Sequence, residues 1–126
     1  DFDGNRPSGN NLIDLFAYLI RKYGRMDTSE YARIMQLKTS ELRGAILAIG
    51  GMSAMEWRNR YLLLEAQELM ERTDMSITAI AAKLGFSQPS VFSKFFRTLT
   101  KSQPWEWRIE KKKPGSNRKR TYHCYE

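Results

Sequence analysis

The sequence predicts an all-α fold of about seven helices, and three observations carry that prediction. Apolar residues recur at three- and four-residue steps in every convincing segment. No stretch between Asn11 and Glu110 alternates with period two long enough to form a sheet. Residues that start and stop helices separate the segments at short intervals. The chain has 126 residues, 41% hydrophobic and 12% aromatic, enough to bury a core and too much for wholesale disorder. That length suits one ordinary domain or two small ones sharing a core, and it excludes a barrel or a multi-domain enzyme. No run approaches the ~20 uninterrupted apolar residues of a membrane span, so a soluble chain is expected. The opening DFDGNRPSGNN lacks the layout of a signal peptide and an initiator Met, which fits processing or excision from a longer protein.

Leu12, Leu15, Phe16, Leu19 and Tyr23 form the apolar stripe of a first helix that Gly24 ends. Asp27 with Glu30 resembles a capping box opening a short helix to about Met35. Gln36-Leu37-Lys38 reads as a turn, after which Thr39 or Ser40 caps a helix stopped by Gly50-Gly51. Ser53 and Glu56 form a second capping box, opening the longest helix, about residues 54–72. Trp57, Tyr61, Leu62, Leu64, Leu69 and Met70 are its candidates for burial, and Glu65, Glu68 and Arg72 mark a solvated face. Ser76 caps a short helix to Lys83 that Gly85 breaks. Pro89 suits the first turn of the next helix, to about Thr100. Ser102 and Pro104 start a final helix that fades into Lys111-Lys112-Lys113-Pro114-Gly115.

The lone Cys124 excludes an intrachain disulfide framework and a multi-cysteine zinc site. His123 beside it is the only histidine. Adjacent residues seldom converge on one point and no third partner is near, so the pair reads as part of a solvated tail. The net charge of +7 is unevenly spread. Residues 111–126 hold six basic side chains against Glu126 alone, whereas residues 1–110 hold 15 basic and 13 acidic ones. A basic run of that kind attracts any polyanion without specifying one. Within the periodic part, residues 83–108 carry five basic side chains against one acidic.

Residues 76–100 are the most informative. Ile80, Ala81, Leu84, Gly85 and Phe86 describe a short helix and a tight turn. Ala81 lets a crossing helix approach, and Gly85 supplies the positive φ of an abrupt reversal. Two helices joined so tightly make a helix-turn-helix, whose second helix can enter the DNA major groove. In that second helix Phe92, Phe95, Phe96 and Leu99 form a buried stripe, while Ser90, Ser93, Lys94 and Arg97 share another face. Short hydroxyls suit close approach to base edges, and cations suit guanine or phosphate. The same spacing also fits an ordinary amphipathic helix whose polar face meets water.

The run SITAIAAKLGFSQPSVFSKFFRTLTKSQPWEWR resembles the C-terminal half of the AraC/XylS-type DNA-binding domain. The matching residues are Ile80-Ala81, Gly85-Phe86, Phe92-Ser93, Phe96-Arg97 and Pro104 through Trp107-Arg108, without a gap. Ala32, Leu37, Leu42, Gly51, Ser53 and Trp57 match the N-terminal half more loosely but in register, so the resemblance spans roughly residues 10–110. It implies two helix-turn-helix subdomains joined by a long linker helix. The expected organisation is an N-terminal arm (1–10), a first subdomain (11–52), the linker (53–73), a second subdomain (74–110) and a basic tail (111–126). A linker of about 20 residues would be ~30 Å long, close to the ~34 Å between successive major grooves.

The resemblance further implies a cytoplasmic bacterial transcription regulator that binds double-stranded DNA sequence-specifically, with no cofactor, no metal and no catalysis. Its DNA-binding residues are expected to be Ser90, Ser93, Lys94, Arg97 and Gln88, with Ser40 and Arg43 as weaker candidates. Alkyl-transfer repair proteins also carry such domains, but they need a metal-held cysteine cluster that one Cys cannot provide. RNA polymerase is a second candidate partner, and the chain is expected to be either a stand-alone member or attached to a sensing or dimerising region upstream in a longer chain. Trp105 and Trp107 read as packing residues rather than base-stacking ones, and Tyr122 and Tyr125 do not make a stacking platform.

Four positions depart from the family pattern. Gln36 and Lys38 replace a turn Gly and a capping Ser, Lys101 stands where Gly is favoured, and Gly44 stands where a DNA-contacting side chain is common. The helix TSELRGAILAIGG has Arg43 as its only cation, offset by Glu41. The C-terminal unit is therefore expected to dominate base reading. The alternative is a helix-turn-helix used mainly for protein contact, with RNA polymerase or a co-regulator.

Overall fold

A computed structural model of the chain describes residues 9–112. Seven helices and no strand are present among them: α1 (Gly9–Tyr23), α2 (Thr28–Ile34), α3 (Thr39–Gly50), α4 (Ala54–Arg72), α5 (Ile77–Lys83), α6 (Pro89–Thr100) and α7 (Pro104–Lys112). The residues expected to form the basic tail beyond Lys112, with Tyr122, His123, Cys124 and Tyr125, lie outside the described residues, as does the arm before Gly9. The chain divides into two compact units whose boundary falls inside α4, between Leu62 and Leu63.

In the first unit α3 packs on α1 and α2. Phe16, Leu19, Ile20, Tyr31, Ala32, Leu42 and Ile46 are buried. The Phe16 and Tyr31 rings meet edge to face at 5.2 Å. The Tyr31 hydroxyl donates to the Gly24 carbonyl and accepts the Met26 N–H at 3.1 Å, which stitches the α1–α2 loop to the core. Burial pushes this phenol above its ordinary pKa. Arg58, in the first half of α4, donates to the Met26 carbonyl at 2.9 Å while Asn59 holds its guanidinium at 2.9 and 3.1 Å.

The second unit packs α6 on α5 and α7. Phe92, Phe96 and Leu99 are buried, and Phe96 meets the buried Trp107 edge to face at 5.9 Å. Phe86 covers the top of this cluster, 5.2 Å from Phe92 and 5.0 Å from Phe95. Arg108 reaches from α7 to three backbone carbonyls, those of Met70 (3.1 Å), Thr73 (2.7 Å) and Met75. Those carbonyls lie at and beyond the C-terminal end of α4, where no intrahelical donor remains for them.

The two units repeat one plan. α3 and α6 are both 12 residues long and start fifty residues apart. Both end on a left-handed residue, Gly51 (φ 77°) and Lys101 (φ 66°). The helices that follow open alike: the backbone N–H groups of Ser53 and Gln103 donate to Glu56 and Glu106 at 3.0 and 3.1 Å. Trp57-Arg58 and Trp107-Arg108 come next, and each arginine bonds the segment that leads into the short helix preceding the 12-residue one, Arg58 before α2 and Arg108 before α5. The Glu-Trp-Arg triplets at 56–58 and 106–108 were the sequence signal of this repeat.

Several expected details are corrected. Asp27 is the N-cap of α2 but makes no side-chain cap bond, and Glu30 pairs with Arg33 instead. Lys38, not Thr39 or Ser40, is the N-cap of α3, with its N–H on Glu41 at 2.8 Å. A carboxylate at the third helical position can satisfy an N-cap donor whatever the cap residue is. Ser102 does not cap α7; its N–H turns to the Thr100 hydroxyl at 3.2 Å. Tyr23 and Leu64 are exposed, while Ile20, Leu63, Ala66 and Gln67 take buried places. The Ser53–Glu56 box and the Ser76 cap form as expected.

Candidate nucleic-acid interface

The turn between α5 and α6 is set by two backbone bonds. The Gly85 N–H donates to the Ala82 carbonyl at 3.1 Å, and the Phe86 N–H to the Ala81 carbonyl at 3.0 Å. Gly85 takes φ 87°, and Phe86 folds back as the apolar residue that closes such a helix end. Gln88 then extends the chain (φ −147°) and Pro89 occupies the first helical position, pre-set for the helix and lacking the N–H that would be orphaned there. With Phe92, Phe96 and Leu99 turned inward, the opposite face of α6 is fixed.

That outward face carries Ser90, Lys94 and Arg97, all exposed, at steps of four and three residues, and the exposed Lys101 follows as the left-handed cap of the helix. Thr98 is exposed beside Arg97, and Gln88 and Ser87 are exposed at the N-terminal end. The Ser90 hydroxyl lies 3.5 Å from Gln88 Oε1. Of the expected site residues in this unit, Ser90, Lys94, Arg97 and Gln88 lie on the exposed surface, and Ser93 is half-buried at its edge. No acidic residue occupies the first turn of α6, so no carboxylate there offsets its outward cations.

Ser40 and Arg43 are exposed on α3 of the other unit. The turn before α3 repeats the one before α6: the Gln36 N–H donates to the Arg33 carbonyl at 3.1 Å and the Leu37 N–H to the Ala32 carbonyl at 2.9 Å. Gln36 takes φ 61°, the place Gly85 fills in the second unit. Outward from α3 stand Gly44, Leu47, Ala48 and Ile49, a mostly apolar face.

Lys101 was missed as a surface cation because it reads as the end of a helix. Its charge directly after the last helical residue was the available signal. Arg108, counted with the local basic cluster, instead serves the backbone carbonyls inside its unit. Trp107 is a packing residue, as expected, whereas Trp105 is 58% exposed. Among the described residues no group of His, Cys, Asp and Glu is arranged to hold a metal ion, and no helix is long and apolar enough to cross a membrane.

The family model described as a helix-turn-helix domain matches residues 31–109, from Tyr31 in α2 into α7. The chain belongs to the AraC-type helix-turn-helix family. The regulatory protein PocR of Salmonella typhimurium is 41% identical over 58 residues, which make up 46% of this chain and 19% of that protein. The chain therefore spans about a fifth of the length of the curated relative it matches. Among solved structures, the C-terminal domain of AraT, a response regulator from Geobacillus stearothermophilus, is 19% identical with a TM-score of 0.73, over 97% of this chain and all of that one. The DNA-binding domain of AdpA, a global transcriptional factor solved in complex with a target DNA, is 22% identical with a TM-score of 0.69, over 78% of this chain and 89% of that one. These likenesses establish the AraC-type fold. Gln36 and Lys101, two of the positions expected to depart from the family pattern, are the two non-glycine residues with positive φ among those described.

Proposed function

We propose that this chain is the DNA-binding module of a bacterial transcription regulator, and that it binds double-stranded DNA sequence-specifically with α6 in the major groove. The observation that carries the reading is the division of α6: one face is locked into an aromatic core, and the other presents Ser90, Lys94 and Arg97 outward after a tight turn, with Lys101 at the cap. A rigidly held helix with small hydroxyls at its N-terminal end and cations along it fits the groove's base edges and flanking phosphates. Membership of the AraC-type family and the DNA complex of the similar AdpA domain support the same reading.

In this reading Lys94 contacts a guanine edge, Ser90 and Ser93 permit close approach with Gln88 beside them, and Arg97 holds a phosphate. Ser40 and Arg43 contribute less, because α3 offers a single cation on its outward face. α4 serves as the linker between subdomains 11–52 and 74–110. The module acts in the cytoplasm without a cofactor or a catalytic step, and it belongs with a sensing or dimerising region and, as a second partner, RNA polymerase.

Selection of bound duplexes from a random pool, followed by salt titration of the winner, tests the proposal. Enrichment of one duplex family, with affinity falling steeply as salt rises, is the expected result. An unenriched pool would overturn it. Arg43→Ala weakening the selected duplex more than Lys94→Ala with Arg97→Ala would reverse the ranking of the two helices.

A further inference from the structure

The fifty-residue repeat matches α3 and α6 position by position. Where α6 turns Ser90, Ser93, Lys94, Arg97 and Thr98 toward the proposed groove, α3 carries Ser40, Arg43, Gly44, Leu47 and Ala48. All five of these α3 residues are exposed, Leu47 by 57%. C-terminal to Arg43 this face, made of Gly44, Leu47 and Ala48, has no side-chain donor or acceptor, so along that part hydrogen bonding cannot supply discrimination between base pairs. The apolar feature of a major groove is the thymine C5-methyl group, which apolar side chains can cover.

Gly44 points the same way. A Cβ built on it meets nothing within 4 Å, so no packing among the described residues requires its missing side chain. Gly50, by contrast, is required, since a Cβ there would lie 2.0 Å from the Trp57 indole nitrogen. A mid-helix glycine weakens a helix, and the missing Cβ at Gly44 leaves α3 open there to a close approach from outside.

We infer that α3 reads a thymine-rich half-site through the C5-methyl groups, with Leu47 and Ala48 as the specificity-determining residues and Arg43 holding the adjacent backbone. The inference rests on the DNA-binding reading above. It gives the module two dissimilar half-sites, one read by charge and hydrogen bonds from α6, the other by apolar contact from α3.

The test replaces each thymine of the selected duplex singly by deoxyuridine, which removes the methyl and keeps the pairing. At a cluster of thymines each replacement weakens wild-type binding about fourfold, the transfer value of one buried methylene-sized group. That penalty disappears in Leu47→Ala at the thymine that Leu47 covers, Ala48 keeping its own, and persists in Lys94→Ala. Leu47 is exposed, so the variant keeps the fold, and an unchanged thermal melt confirms it. Uridine tolerated at every thymine, or a penalty unaltered in Leu47→Ala, would overturn the inference while leaving DNA binding intact; α3 would then face a protein. Failure to select any duplex would overturn the DNA-binding reading itself.

Discussion

Gln36→Gly should stabilise the protein, and the amount can be worked from the backbone. Gln36 is exposed and sits at φ 61°, where a side-chain-bearing L-residue costs roughly 1–2 kcal/mol. Glycine removes that cost but adds about 0.5–1 kcal/mol of unfolded-state entropy. The net expectation is about 0.5–1 kcal/mol, or a rise of roughly 2–4 °C in melting temperature for a chain of this size. The two turn bonds, from the N–H groups of Gln36 and Leu37, are backbone bonds and survive the change. Lys101→Gly relieves the same strain at φ 66° but also removes a cation from the C-terminal end of α6. That cation contributes about 0.3–1 kcal/mol with the helix dipole, so the second variant gains correspondingly less. In about 1 M salt the charge is screened and the two gains converge. Thermal melts by circular dichroism at low and high salt measure all four values. A lower melting temperature for Gln36→Gly at either salt would refute the reasoning.

Three further outcomes are expected. Arg108→Lys should cost about 2 kcal/mol, because a point charge cannot serve the carbonyls of Met70, Thr73 and Met75 together; a melt within 1 °C or so of wild type would contradict the clamp. Gln67 is fully buried and neither of its amide atoms has a hydrogen-bond partner, so Gln67→Met should stabilise by about 1–3 kcal/mol in denaturant titration, and a loss of stability would show that the amide is bonded. Burial raises the Tyr31 pKa above its ordinary value of 10.0, and Tyr61 is raised for the same reason. The neutral phenol is favoured in the folded state, so its stabilisation is complete below about pH 10 and is lost as pH climbs toward the folded-state pKa. Melting temperature should therefore fall above pH 10, less steeply in Tyr31→Phe than in wild type.

Much of this fold was legible because apolar periodicity and punctuation agreed. The Phe92–Phe96–Leu99 stripe, the Gly85 reversal, the Pro89 start and the Ser53–Glu56 box all follow from local chemistry, and each formed. Errors fell where two local solutions compete. Thr39 and Ser40 are better intrinsic caps than Lys38, yet Glu41 satisfies the Lys38 N–H directly and fixes the boundary. Arg108 belongs to a basic cluster in sequence, but the unbonded carbonyls after α4 draw it inward, which no one-dimensional reading of charge can show. The outward stripe of α6 was legible except for Lys101, hidden by its place at the helix end. On α3 the sequence showed missing cations, and the repeat with α6 shows which of its exposed residues stand at the positions of the α6 stripe.

The central claim is that α6 reads bases, with Lys94 at the centre of its exposed face. The most direct measurement is the affinity of wild type and Lys94→Ala for the selected duplex and for random duplex at one fixed salt concentration. A base contact predicts a loss of about 1–3 kcal/mol on the selected duplex and a much smaller one on random DNA. Equal losses on both would reduce Lys94 to a phosphate contact and contradict the claim.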